Sequence, residues 1–163
     1  MLMFKNRALL GLLATAVFGV SLAACSDDDG PSVRSKTYNL VATNGAKAQV
    51  VATANADSSF NLKITLSSST KDTTYAFNVF KGSIASTTTD TLLKVGNFKS
   101  TANGSAISAQ ISNIKTVVLP GNTTATKFTY DSLVKYPSYA KITFKKGAGT
   151  DSVVAKGNLY QAQ

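Results

Sequence analysis

Few side chains in this sequence could do chemistry, and Cys25 is the most informative of them. It is the only cysteine among 163 residues, and it directly follows an apolar run over 8–24 that Lys5 and Arg7 precede. A basic start, an apolar stretch and small residues before a cut site are typical of a secretory signal peptide. We therefore predict a signal peptide over residues 1–24. The alternative is a transmembrane helix, for which this run is at the short limit.

The residues Leu22-Ala23-Ala24-Cys25 resemble the bacterial lipobox. The resemblance implies that the Cys25 thiol is acylated and that the peptide bond before it is cleaved. Lipid on Cys25 would then hold the protein to a membrane, because several acyl chains on one residue give stable anchoring. A single cysteine also allows no intramolecular disulfide, so the exported domain must fold on its core alone.

An acidic segment, Ser26-Asp27-Asp28-Asp29, follows the cysteine. It resembles the export tag that sends lipoproteins of Bacteroidetes-type bacteria to the outer face of the outer membrane. An aspartate directly after the cysteine can mean inner-membrane retention in other bacteria, but Ser26 occupies that position here. The resemblance implies an outer-membrane protein that faces the cell exterior. The alternatives are a periplasm-facing anchor and a plain solvated linker; in each case we predict a flexible tether over 25–36.

The remaining sequence argues against catalysis. It contains no histidine, which excludes Ser–His–Asp and Cys–His arrangements and the usual acid–base group near neutral pH. It contains no glutamate either, so the domain has five carboxylates: Asp57, Asp72, Asp90, Asp131 and Asp151. All five lie at predicted turns or strand starts, where aspartate bonds the local backbone. We expect no catalytic residue, metal site or cofactor; a hydrolase that uses an aspartate pair is the alternative from another class.

Four of these aspartates begin a triplet in which Ser or Thr follows, and then an aliphatic residue or Thr. The triplet resembles the O-glycosylation sequon of Bacteroidetes-type bacteria. It implies that glycan is added after export to the second residue of each triplet: Thr73, Thr91, Ser132 and Ser152. Turn chemistry explains the same spacing, because aspartate starts a turn and the next strand supplies the aliphatic residue. The two readings are compatible, since an acceptor must be exposed.

The domain is strongly basic. From Arg34 onward, 15 lysines and arginines stand against five aspartates, a formal charge of +10. Such a charge suggests polyanions as partners. In the sequence, however, the lysines are scattered, with Lys145-Lys146 the only pair. We therefore expect weak polyanion binding and no nucleic-acid binding, and we attribute most of the charge to solubility.

Alternation of apolar and polar residues dominates from residue 37 onward. It predicts strands at 38–42, 49–53, 60–66, 75–80, 91–95, 106–111, 116–119, 127–130, 139–144 and 152–159. Only the segment 131–136 could form a helical turn, with Asp131 as N-cap and Pro137 as stop. We predict an all-β protein: one antiparallel β-sandwich over 37–163, immunoglobulin-like or related. Tyr136 and Tyr139 flank a predicted loop and are the best candidates for an exposed ligand contact.

The layout of the strands also resembles a CHRD-type β-sandwich of secreted bacterial proteins. The matching segments are YAFNVFKG at 75–82, YAKITF at 139–144 and GNL at 157–159. The family histidines are absent, so the resemblance implies a sandwich and no metal. The function that we expect is a lipid-anchored, non-enzymatic surface module that binds a protein or glycan partner or joins an envelope assembly. A periplasm-facing accessory subunit of an outer-membrane complex is the alternative.

Overall fold

The computed structural model describes residues 33–43, 45–85, 89–146 and 150–160. The predicted signal peptide and residues 25–32 of the predicted tether lie outside these residues. The strands are β1 Ser35–Ala42, β2 Ala48–Ala54, β3 Phe60–Leu66, β4 Thr74–Lys81, β5 Thr91–Lys99, β6 Ile107–Ile114, β7 Thr116–Val118, β8 Ala125–Lys127, β9 Ser138–Lys146 and β10 Thr150–Asn158. The helix is α1 Tyr130–Lys135. Each of the ten predicted strands overlaps a strand of the structure.

Strand β3 shows why these segments fold as strands. Its side chains point alternately to the two faces of the sheet, so every second residue enters the core. The four apolar residues on its inner face have no exposed surface: Phe60, Leu62, Ile64 and Leu66. The residues between them are Asn61, Lys63 and Thr65, which face outward. This half-buried pattern is typical of an antiparallel sheet with one wet face.

Eight strands form one antiparallel sheet in the order β5-β4-β9-β10-β1-β2-β3-β6. Strand β1 joins the two halves: six of its residues pair with β2, and Val41 and Ala42 at its end pair with β10. The edge strands β5 and β6 lie beside each other, so the sheet is nearly barrel-like. The prediction of an all-β antiparallel fold is confirmed. The sheet has two half-sheets, β5-β4-β9-β10 and β1-β2-β3-β6, and they form one continuous sheet around one core.

The helix corrects a detail of the sequence analysis. The N-cap of α1 is Thr129 and not Asp131. The Thr129 hydroxyl accepts from the Ser132 amide at 3.3 Å, and the Ser132 hydroxyl accepts from the Thr129 amide at 3.1 Å. This reciprocal capping box satisfies two amides that would otherwise lack partners. The helix therefore begins at Tyr130, and the strand that we predicted over 127–130 lies instead at Ala125–Lys127, with only Lys127 in common.

The domain also begins earlier than the sequence analysis placed it. Strand β1 starts at Ser35, before the predicted boundary at residue 37. Arg34 donates to the Asp131 carboxylate at 2.7 Å and 3.2 Å, and its guanidinium lies 5.1 Å from the centre of the Tyr130 ring. Asp131 is thus engaged by Arg34 rather than by the helix cap. These contacts attach the end of the predicted tether to the folded part.

Candidate functional site

The outer surfaces of the two half-sheets differ in charge. The outer surface of β5, β4, β9 and β10, which we call the basic face, carries five lysines: Lys94, Lys99, Lys141, Lys145 and Lys156. The outer surface of β2, β3 and β6, which we call the neutral face, carries mainly amides and hydroxyls, with Lys63 among them. The lysines that seem scattered in the sequence are therefore partly gathered on one side of the fold.

Register brings three of these lysines into one line. Lys94 pairs with Asn78 of β4, Asn78 pairs with Lys141 of β9, and Lys141 pairs with Lys156 of β10. Residues directly opposite each other on neighbouring strands share a face. We call Lys94, Lys141 and Lys156 the lysine row. It crosses the strands at right angles, so no stretch of sequence contains it.

The buried neighbours of each residue explain why the row faces outward. Asn78 lies between Phe77 and Val79, and neither of these two has any exposed surface. On β9, Lys141 lies between Ala140 and Ile142, which are fully buried as well. The core therefore takes the residues on both sides, and the period-two alternation sends Asn78 and Lys141 to solvent.

Two lysines of the row are held in place by neighbouring groups. The Lys141 ammonium lies 4.4 Å from the centre of the Phe80 ring, within the range of a cation–π interaction. Phe80 in turn stacks on Tyr139, with 5.4 Å between the ring centres. The Lys156 ammonium donates to the carbonyl oxygen of Ile84 at 3.5 Å. These contacts give the two ammonium groups separate positions above the sheet.

The aspartates near the basic face leave the row uncompensated. Lys99 forms an ion pair with Asp72 at 3.3 Å, and Lys145 lies opposite Asp151 on β10. Among the residues that the structure describes, no aspartate forms an ion pair with a lysine of the row. Lys141 and Lys156 are instead directly opposite each other, and like charges in that position destabilise a sheet. A bound anion would remove this repulsion.

Two other aspartates, Asp57 and Asp131, have structural partners. The Asp57 carboxylate accepts from the Ser59 hydroxyl at 2.5 Å and from the Ser59 amide at 3.1 Å, and it forms an ion pair with Lys115 at 2.9 Å. The Ser59 hydrogen bond is the main cause that lowers the pKa of Asp57, and Lys115 adds to it. The Arg34 hydrogen bond likewise lowers the pKa of Asp131. The local turn bonding that we expected of the aspartates is thus seen at Asp57.

Asp72 and Asp151 line a shared open depression of about 640 Å³ at one end of the basic face, together with Thr143 and Lys145. A hydrolase with an aspartate pair could use these two carboxylates. Within the described residues, no group of three or more His, Cys, Asp or Glu side chains is placed to hold a metal ion.

The two tyrosines proposed as an exposed contact pair lie apart in their packing. Tyr139 is only 4% exposed, because it stacks on Phe80, and burial raises the pKa of its hydroxyl. Tyr136 is half-buried and packs edge-on against Phe128, with 5.7 Å between the ring centres. The expectation of an exposed pair is therefore wrong. Alternation along β9 does not predict the burial of Tyr139, because Phe80, which covers it, belongs to another strand.

The four predicted glycosylation sites are each half-buried: Thr73, Thr91, Ser132 and Ser152. Thr73 lies before β4, Thr91 begins β5, and Ser152 lies in β10 opposite Phe144. The Ser132 hydroxyl is occupied in the capping box of α1. Glycosylation of these residues stays a prediction. Cys25 and the predicted tag, Ser26, Asp27, Asp28 and Asp29, lie outside the described residues.

The sequence analysis missed the basic face, although one signal for it was available. Lys141 and Lys145 are four residues apart in an alternating strand and must share a face.

No helix among the described residues is long and apolar enough to span a membrane. Comparison of the chain with family models, with curated proteins and with solved structures found no match.

Proposed function

We propose that the mature protein is a lipid-anchored, non-enzymatic binding module of the outer membrane that faces the cell exterior and takes anionic ligands on its basic face. The anchor and the address rest on Cys25 and on the acidic segment after it. The observation that carries the binding role is the lysine row, in which three lysines lie on one line across the strands, with no ion pair to an aspartate among the described residues.

The chemistry of the row suits phosphate, sulfate or carboxylate groups. A lysine ammonium is a compact charge with three donors, and it binds anions without demanding one geometry. Asn78 lies between Lys94 and Lys141 in the register and adds an amide that can donate to an oxygen. The neutral face offers no comparable charge. Of these two surfaces, the basic face is therefore the one that an anionic polymer or surface would meet.

The binding role is tested on immobilised heparin and on lipopolysaccharide. We define the row variant as Lys94→Gln, Lys141→Gln and Lys156→Gln combined. It should elute from heparin at clearly lower salt than the wild type, because each lost cation reduces counterion release. The matched control is Lys47→Gln, Lys63→Gln and Lys127→Gln combined, which removes the same number of lysines at exposed positions away from the basic face. Equal elution of the row variant and this control would refute the assignment of the site.

The anchor has its own test. Cys25→Ala should abolish labelling by a fatty-acid analogue and move the protein out of the membrane fraction, because the thiol that carries the lipid is gone. Ser26→Ala is the control, since it leaves the cysteine in place. Labelling that persists in Cys25→Ala would exclude lipid on this residue.

The address is tested with Asp27→Ala, Asp28→Ala and Asp29→Ala combined. If the acidic segment is an export tag, this variant should still be acylated but should be hidden from protease added to intact cells. Unchanged accessibility would reduce the segment to a linker. Protection of the wild type itself would favour the alternative of a periplasm-facing accessory subunit.

A hydrolase is the second candidate, and the depression that Asp72 and Asp151 share is the observation in its favour. Retaining and inverting glycosidases both need two carboxylates beside the bond that they cleave. Asp72 also forms an exposed ion pair with Lys99. A glycosidase screen of the wild type beside Asp151→Asn decides between the two: activity that this substitution removes would establish the enzyme.

A further inference from the structure

We propose that the basic face lies on the anionic surface of the membrane that carries the anchor, so that the domain docks on its own bilayer in one orientation. This inference rests on the lipid anchor of the proposed function and names the source of the anions as lipid headgroups. The structural ground is the arrangement of charge on two sides of one sheet, taken together with the short chain between Cys25 and β1.

The lysines of the basic face are spread over an area. The row crosses four adjacent strands, which spans about 14 Å at the usual spacing between strands. Lys145, which has Asp151 opposite it on β10, lies four residues beyond Lys141 on the same strand, a separation of about 13 Å. A linear polymer needs one stripe of cations, whereas cations spread in two directions over the outer surface of these strands suit the many phosphates of a headgroup layer.

The basic face lacks the contacts that free glycans usually need. Its aromatic residues, Phe80 and Tyr139, are 7% and 4% exposed, so neither offers a ring on which a sugar could stack. Lys94 and Lys156 are exposed residues, and their long stems let the charges reach a surface beside the sheet. These properties favour a charged interface over a soluble oligosaccharide.

The chain between anchor and domain keeps the two close. Arg34 is attached to the folded part through Asp131. The stretch 26–33 between Cys25 and this contact has eight residues, which reach at most about 29 Å when fully extended. A domain held within that distance of a bilayer meets it at a high effective concentration, so that modest attraction per lysine is enough to dock it.

The experiment uses the mature, lipidated protein in vesicles. Because the proposal places lipid on Cys25, a cysteine introduced elsewhere is the free thiol available for a fluorophore. Asn97→Cys places the probe on the basic face, opposite Ala76, and Gln49→Cys places it on the neutral face, opposite Thr65. Both positions are exposed and both lie within strands. Energy transfer to a dye in the bilayer reports how near each face lies.

In vesicles that contain phosphatidylglycerol, we expect strong transfer from the Asn97 probe and weak transfer from the Gln49 probe. The difference should vanish in phosphatidylcholine vesicles and at 1 M salt, where screening shortens the range of charge interactions to about 3 Å. Each lysine lost should lower the ratio of docked to undocked protein about fivefold, so the row variant should lower it on the order of a hundredfold. The combined Lys47→Gln, Lys63→Gln and Lys127→Gln control should leave it unchanged.

Equal transfer from both probes, or the same difference in uncharged vesicles, would overturn the docking proposal. The outcome is separable from that of the proposed function. If the protein binds heparin through the row but shows no preferred face on the vesicle, the proposal of anion binding stands and the proposal of membrane docking fails. A protein that fails to stay with the vesicle at all has lost its lipid anchor.

Discussion

Gly157 lies where β10 meets β1, and replacing it with alanine tests how tightly the two half-sheets are joined. A Cβ atom at this position would lie 2.7 Å from Leu40 Cδ2, 3.0 Å from the carbonyl oxygen of Asn39 and 3.1 Å from Leu40 Cα. The Leu40 side chain can rotate away, but the two backbone atoms belong to β1 and cannot. Gly157→Ala must therefore push β1 and β10 apart.

The cost of this substitution follows from two opposing effects. An extra carbon in a closely packed core destabilises by about 1–3 kcal/mol. Alanine in place of glycine also restricts the unfolded chain, which returns about 0.4–1 kcal/mol. With two backbone contacts below 3.2 Å, the net loss in the free energy of unfolding should be about 1–2 kcal/mol. For a domain of this size that corresponds to a fall in Tm of about 3–8 °C.

Thermal unfolding followed by far-ultraviolet circular dichroism of the mature protein measures this loss. Lys156→Ala is the matched control, because it alters the neighbouring residue of the same strand on the outer face. A surface change of that kind should stay within about 0.5 kcal/mol. An unchanged Tm for Gly157→Ala would refute the reasoning, since it would mean that β1 and β10 separate at no cost.

Four further predictions follow from the core, the titratable groups and the triplets. Leu133→Ala should lower the free energy of unfolding by about 2–5 kcal/mol in a denaturant titration, because Leu133 is the fully buried residue on the inner side of α1. Lys135→Ala, at an exposed position of the same helix, should not lower it. Burial, with a contribution from Tyr130, raises the pKa of Tyr38 from 10.0 to about 12. The contribution of Tyr38 to the free energy of unfolding is therefore fully present below pH 10 and is lost as the pH rises from 10 to 12. Tyr38→Phe should remove this pH dependence without loss at pH 7, since the hydroxyl has no hydrogen-bond partner among the described residues. Asp57 has a lowered pKa, so its stabilisation is present above its unfolded pKa of 3.8 and is lost as the pH falls further; Asp57→Asn should flatten the acid limb of the stability curve. Glycan on the protein from its native host should appear as extra intact mass, and alanine substitutions at Thr73, Thr91 and Ser152 should remove that mass. Ser132 should contribute little, because its hydroxyl caps α1. A mass that polypeptide and lipid explain in full would mean that the triplets are turn residues without glycan.

Local pattern determined the secondary structure of this protein. The strand predicted over 60–66 matches β3 residue for residue, because a strict alternation leaves one register in which the apolar side chains are buried. The boundaries that were wrong lie where side chains contact distant or reciprocal partners. Thr129 took the N-cap from Asp131 through a bond to Ser132, and Arg34 extended the folded part by pairing with a residue 97 positions away.

The sequence by itself determined that the chain is all-β, which strands it contains, and that its chemistry is confined to one cysteine, a few aspartates and an excess of lysine. Only the tertiary structure decided where those lysines meet. Lys94, Lys141 and Lys156 are far apart in the chain and become neighbours through the order β5-β4-β9-β10 and its register. Period-two alternation tells which side of a strand a residue faces. It does not tell which strand lies beside it, because pairing depends on how the whole sheet closes around the core.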